Sequence, residues 1–252
     1  MIRSIWYTST LSLLAAACAS TPGAKPHDMS DAQHERESQS QGATADAHAA
    51  QYDSNARVER WRCSPRGGGR AGAEFGGCWS SVLNPTTAHL HAAEDHRRQA
   101  ADHRAASAAL RGAEARSCVG ISSDDRDMSP FEHVEDITSV EPLIDRNGSS
   151  VAPSLRTVGA IVTFRAVPGM TSKWLQRVMD CHLARNASLG HTVPEMPNCP
   201  LVLKGAQARV TATGNGFAVA IRSDDPATAR EILSRAERLH AATVNSAAST
   251  TR

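Results

Sequence analysis

The chain has 252 residues, of which 40% are hydrophobic and only 4% aromatic, so it can hold one or two modest domains and must leave part of its length as linker. Lys and Arg number 27 against 26 Asp and Glu, and without Arg3 the two counts are equal. Such a balance lacks the basic footprint that phosphate neutralisation demands, which removes nucleic acid from the expected partners and argues against polybasic docking on anionic lipid.

The amino terminus has Arg3 as a short positive region, an apolar run from Ile5 to Leu14, and then Ala15, Ala16 and Ala17 immediately before Cys18. This order reads as a signal peptide, and the run is too short to span a hydrocarbon core of about 30 Å as a helix. Leu14 to Cys18 resembles the lipobox of bacterial lipoproteins. The resemblance implies removal of residues 1–17, diacylglycerol on the Cys18 sulfur and a third acyl chain on its new amino group. Ala19 stands where an Asp signals inner-membrane retention in that family, so outer-membrane sorting facing the periplasm is implied. Several acyl chains, at about 0.8 kcal/mol per buried CH₂, would make the attachment stable. The resemblance concerns an address and says nothing of activity.

Residues 18–56 are mostly Ser, Thr, Gln, Asp, His, Gly and Ala. A segment so poor in branched and aromatic residues buries too little apolar surface to offset its ordering entropy, and it reads as a lipid-anchored flexible linker. His27, His34 and His48 are then solvated filler. Residues 57–83 form a Cys- and Gly-rich loop segment, with Trp61-Arg62-Cys63 and Cys78-Trp79 as near mirror images suggesting closure by a disulfide. The glycines between them lack the Gly-Lys-Ser/Thr ending of a phosphate loop, so Arg66 and Arg70 offer only unspecific anion binding.

Residues 84–148 read as a helical segment, capped at Thr86 or Thr87 and running to about Arg116 on an Ala-rich sequence. Its narrow apolar stripe, Leu90, Ala93, Ala100 and Leu110, suits a protein partner or self-association through this helix. His89, His96 and His103 recur every seven residues, about 10.5 Å apart, too far for one ion, and read as a polar face. Only His91 and Asp95, four residues apart, share a ligand-bearing face there. Asp124 to Asp127 reads as a solvated loop, and Pro142, Asn147-Gly148 and Pro153 as a linker.

A small α+β domain is expected over 156–242. Val158, Ala160, Val162 and Phe164 alternate as a strand, and Thr171 caps a helix bearing Trp174, Leu175, Val178, Met179 and His182. Gly214-Asn215-Gly216 marks a hairpin, and Asp225-Pro226 opens a last helix with a frayed tail from about Thr243. The fold class is α+β: a long Ala-rich helix followed by a strand–helix–hairpin–helix sandwich, after a disordered tether.

With Cys18 acylated, five cysteines remain, and an oxidising compartment favours disulfides. Local spacing favours Cys63 with Cys78 and Cys181 with Cys199, leaving Cys118 unpaired. The alternative groups Cys181, His182, His191 and Cys199 around Zn²⁺ or Cu⁺, although the adjacent Cys181 and His182 sit about 100° apart on a helix. Cys181 as a nucleophile with His133, His182 or His191 as base matches no known catalytic segment. The expectation is a non-catalytic envelope lipoprotein without a cofactor, with a Zn- or Cu-binding accessory lipoprotein as the second reading.

Overall fold

A computed structural model describes residues 21–63, 77–147 and 154–250. The signal peptide expected at 1–17, the lipid-bearing Cys18, the glycine stretch with Arg66 and Arg70, and Gly148 and Pro153 lie outside these residues. The fold is α+β, built from a helix pair with a small hairpin at its end and a four-stranded antiparallel sheet carrying two helices.

The expectation of a flexible linker through residue 56 is corrected. Asp31–Gln51 forms a helix, α1, which packs along α2, Thr87–Ser117. Ser30 starts α1 with a capping box: its hydroxyl accepts from the Gln33 amide at 3.2 Å, and its own amide donates to Gln33 Oε1 at 2.9 Å. The residues of α1 are good helix formers but include no Leu, Ile, Val, Met or aromatic side chain, so the helix needs a partner that accepts alanine and polar packing. Ala93, Ala100 and Leu110 of α2, read as a stripe for another molecule, are buried within this chain. Gly42 interrupts α1 with open space where a Cβ would stand. Gly42→Ala is expected to strengthen α1 by about 1 kcal/mol, read as slower amide exchange across that helix.

The helices are joined through β1, Val58–Cys63, and β2, Cys78–Leu83, which pair antiparallel from Val58 opposite Leu83 to Cys63 opposite Cys78. Thr86 does not bond forward into α2. Its hydroxyl instead accepts from the Asp53 amide at 3.0 Å, tying the start of α2 to the end of α1.

The helical reading of 84–148 holds only in part. A single turn, α3 (Ser123–Asp127), follows α2, and Ile137–Asn147 is a strand, β3, paired with β4, Ser154–Arg165. Pro142 suggested a linker, yet β3 lies at the sheet edge, where one side of the strand needs no ladder donor. The sheet order is β3-β4-β6-β5, with β5 (Gln207–Thr213) and β6 (Gly216–Arg222) turning at Gly214-Asn215.

Two helices cover one sheet face. Thr171 accepts from the Trp174 amide at 3.1 Å to begin α4 (Ser172–Ser188), and Asp225 accepts from the Thr228 amide at 2.7 Å to begin α5 (Pro226–Thr250). The frayed tail expected from Thr243 is corrected, because α5 continues through those residues. Val162, Phe164, Val219 and Ile221 face Leu175, Met179 and Ile232 in one core, where the Phe131 and Phe164 rings lie 5.7 Å apart. Deep burial of these apolar groups is the main drive for folding this layer.

Candidate functional site

Three places bring chemistry-bearing residues together. The first is the β1–β2 hairpin, whose twelve residues are almost all exposed. Directly opposed residues share a face, so Trp61 lies with Val82 and the cystine, while Trp79 lies with Val58, Leu83, Arg60 and Arg62. Trp61 is 64% exposed, Trp79 55% and Val82 65%. The Cys63–Cys78 bond closes the open end of the ladder across a Cα separation of 4.1 Å. A lone two-stranded ribbon is marginal in water, so this cross-link is what holds both tryptophans in place.

The second is the junction of α2, α3 and α4. Here the pairing of Cys181 with Cys199 is corrected: Cys181 is bonded to Cys118 at the end of α2, and Cys199 is a free, buried thiol. Sequence proximity favoured Cys199, but tertiary packing lays the end of α2 against α4 and puts Cys118 within 4.6 Å, Cα to Cα. Arg185 of α4 pairs with Glu114 of α2 at 3.1 Å and Asp127 of α3 at 2.9 Å, and Arg177 donates to the Val119 carbonyl. Asp127 is also held below the usual carboxylate range, chiefly by the hydrogen bond from Arg126.

The metal grouping of Cys181, His182, His191 and Cys199 is corrected too. The Cys181 sulfur is spent on Cys118, His182 Nε2–H donates to the Asp125 carbonyl at 2.9 Å, and His191 Nδ1–H donates to the Val202 carbonyl at 2.9 Å. Among the described residues no three His, Cys, Asp or Glu side chains converge as a metal site. Burial pushes both imidazoles below their ordinary value, so each sits neutral and packed. A cystine sulfur is no thiolate nucleophile, and His133, on the exposed surface, pairs with Glu135 at 3.2 Å.

Cys199 lines a cavity of about 450 Å³ with Ser129, Phe131 and Glu195. Burial pushes its thiol up, the opposite of what activates a nucleophile. Non-reducing peptide mapping is therefore expected to return the Cys118 and Cys181 peptides joined, and alkylation of Cys199 only after unfolding. A Cys181–Cys199 peptide would overturn the connectivity.

The third place is the α1–α2 seam, and sequence reasoning missed it. His34 Nδ1 lies 3.0 Å from His103 Nδ1, His96 Nδ1–H donates to Gln41 Oε1 at 2.7 Å, and His48 Nδ1 lies 3.2 Å from His89 Nδ1. Positions 34, 41 and 48 ascend by sevens as 103, 96 and 89 descend by sevens, the signature of an antiparallel heptad register. That arithmetic is present in the sequence, and it becomes visible once residues 31–51 are allowed to be helical. His34 and His103 are fully buried, whereas the layers nearer the hairpin are half-exposed.

Comparison with models of known families, with curated proteins and with solved structures finds no match for this chain.

Proposed function

We propose that this chain is a lipid-anchored, non-catalytic interaction module of a bacterial cell envelope, engaging a protein partner through the β1–β2 hairpin. The observation that carries the reading is the pair of exposed tryptophans, Trp61 and Trp79, held on a disulfide-closed ribbon. Exposed tryptophan beside arginine is the side-chain chemistry enriched at binding hot spots, and an apolar surface kept in water calls for a partner. Two cystines suit an oxidising compartment, in keeping with export through the lipobox-like segment ending at Cys18. Among the described residues no helix is long and apolar enough to cross a membrane. In this reading acylation at Cys18 supplies the attachment.

The geometry suits such a role. At 1.5 Å per residue, the 21-residue α1 carries the ribbon about 31 Å from the helix start, which lies thirteen residues after Cys18. The start of α1 and the tryptophans thus sit at opposite ends of the helix pair.

A photo-crosslinking amino acid at 61 or 79, introduced in living cells, is expected to trap the same partner protein from both positions, while the exposed Lys173 on α4 traps none. Equal yields at all three positions would remove the hairpin from the proposal. Trp61→Ala and Trp79→Ala are expected to change folding stability by less than about 0.5 kcal/mol, since neither ring is buried, and to abolish the adduct formed from the other position. Mass spectrometry of the protein from membranes is expected to show an acylated Cys18 as the first residue; an intact Met1 would sink the lipoprotein assignment.

A further inference from the structure

We infer that the α1–α2 seam is a proton-operated clasp: acidification releases α1 from α2 while the sheet domain stays folded, turning residues 31–51 from a packed helix into a solvated segment. The inference rests on the seam's geometry and stands apart from the proposed role of the hairpin.

The seam is unusual in what it lacks. The buried residues of α1 are His34, Ser38 and Ala45, and α2 is the helix against which they are covered. Burying alanine methyls yields little transfer free energy, so docking depends on hydrogen-bonded polar layers far more than in an ordinary helix pair. One of these is the Ser38 hydroxyl donating to the Ala100 carbonyl at 2.9 Å. The others are the three heptad layers.

Those layers differ in how they meet a proton. In the middle layer Gln41 Nε2 donates to Glu37 Oε1 at 2.7 Å, which fixes Gln41 Oε1 toward His96. His96 donates from Nδ1 whether its ring is neutral or charged, so this layer is indifferent to acid. In the first layer His34 Nε2–H donates to the Pro26 carbonyl at 3.3 Å, leaving Nδ1 as the acceptor from His103 Nδ1–H. One added proton fits on the remaining nitrogen, His103 Nε2, with the Nδ1–H···Nδ1 bond kept. The pair cannot hold two, because two imidazolium N–H groups would then face each other across 3.0 Å with no acceptor between them. His48 and His89 meet the same limit at 3.2 Å.

The charged and titratable groups around these layers do not remove it. Beside His34, α1 carries Asp31 and Glu37 one turn away, and Glu35 reaches Arg111 of α2 at 3.8 Å. Asp102, adjacent to His103, accepts from the Thr21 hydroxyl. The segment before α1 presents the Pro26 carbonyl, with His27 turned toward His191. Around His48 the facing rings are His89 and the stacked His96, whose centroid lies 5.5 Å away, and Asp53 beyond the helix end accepts from the Asn55 amide.

Once α1 is released each ring faces water, which can accept from a second N–H, whereas a docked pair has no acceptor for one. Added protons therefore favour the released state, by up to one proton per His–His layer, and docking is lost as pH falls, by up to about 100-fold per pH unit for the two layers together. The rest of the fold is tied independently. The Cys118–Cys181 bond staples α2 to α4, and the Cys63–Cys78 bond keeps the hairpin closed, so neither bond includes a residue of α1.

The test is amide hydrogen exchange of the full mature chain at about pH 7.5 and about pH 5, corrected for intrinsic rates. The expected result is that α1 amides lose at least about 100-fold protection at the lower pH while α4 and β4 keep theirs. H34Q/H48Q converts both His–His layers into the Gln–His type of the middle layer. It is expected to keep α1 protected at both pH values, as is the reverse pair H89Q/H103Q. Equal α1 protection in the unmodified chain at both pH values would overturn the clasp. So would loss of α4 and β4 together with α1, undiminished acid release in both double variants, or failure of both to dock α1 at neutral pH.

Discussion

Cys118→Ala is expected to lower the free energy of unfolding by about 4 kcal/mol. The Cys118–Cys181 bond closes a loop of 63 residues by sequence separation, and in the chain-entropy model a loop of that length restricts the unfolded chain by about that amount. The loop holds α3, β3 and β4, so the bond joins the helix pair to the sheet domain. The Cys181 side is fully buried, so Cys118→Ala also leaves a thiol in the core where the cystine was packed. Denaturant unfolding of Cys118→Ala, read at the midpoint and slope, checks this. A midpoint equal to that of the unmodified chain would show that Arg185, with its partners Glu114 and Asp127, holds the junction without the cystine. Cys63→Ala should cost less, at most about 3 kcal/mol in the same model for its separation of 15, because the ribbon it closes is exposed.

Gly159→Ala is expected to cost at least about 2 kcal/mol, although it adds a single methyl group. Gly159 lies in the middle of β4 with φ at +154°, and an added Cβ would fall 1.9 Å from the Ile221 carbonyl oxygen and 2.9 Å from Arg222 Cα, both backbone atoms of β6. On its other side it faces Leu143, where β3 shifts register before Ile144. Neither neighbour can yield without opening the ladder between the two central strands. Thermal unfolding should show the loss, with the α1–α2 pair unaffected in local exchange. An unchanged transition would mean that β6 can slide away from β4 freely.

The strand from Val158 to Phe164, the helix capped by Thr171, the hairpin at Gly214-Asn215 and the helix opened by Asp225-Pro226 all follow from local signals, and the structure has each of them. Each buries its own apolar face, which is why periodicity exposes it. Residues 31–51 were opaque for the opposite reason. Their helix is specified by a capping box, helix-forming composition and a register with α2, while their lack of branched side chains mimics a linker. Ile137–Asn147 was hidden by Pro142, an edge-strand residue that looks like a breaker. The Cys118–Cys181 pairing was hidden by 63 residues of separation, because short spacing favours Cys199 and only packing favours Cys118. The hairpin cystine was legible, since Trp-Cys symmetry and short spacing point the same way as the ladder. The histidine seam was half legible: the spacing of 89, 96 and 103 was plain, but its meaning resides in a second helix.

The placement of Pro142 carries a consequence for behaviour at high concentration. A sheet of four strands has two outer margins, and each could template a strand from another molecule and begin runaway polymerisation. Along β3 the proline offers no amide hydrogen, and register breaks at Ile137/Ser139 and Leu143/Ile144 distort what remains of the template. Along β5 the exposed Gln207, Arg209, Thr211 and Thr213 present a polar, partly charged fringe instead of an apolar one. Copies crowded side by side on a surface would therefore resist fusing into fibres, and Pro142→Val is the change that would bring that hazard back.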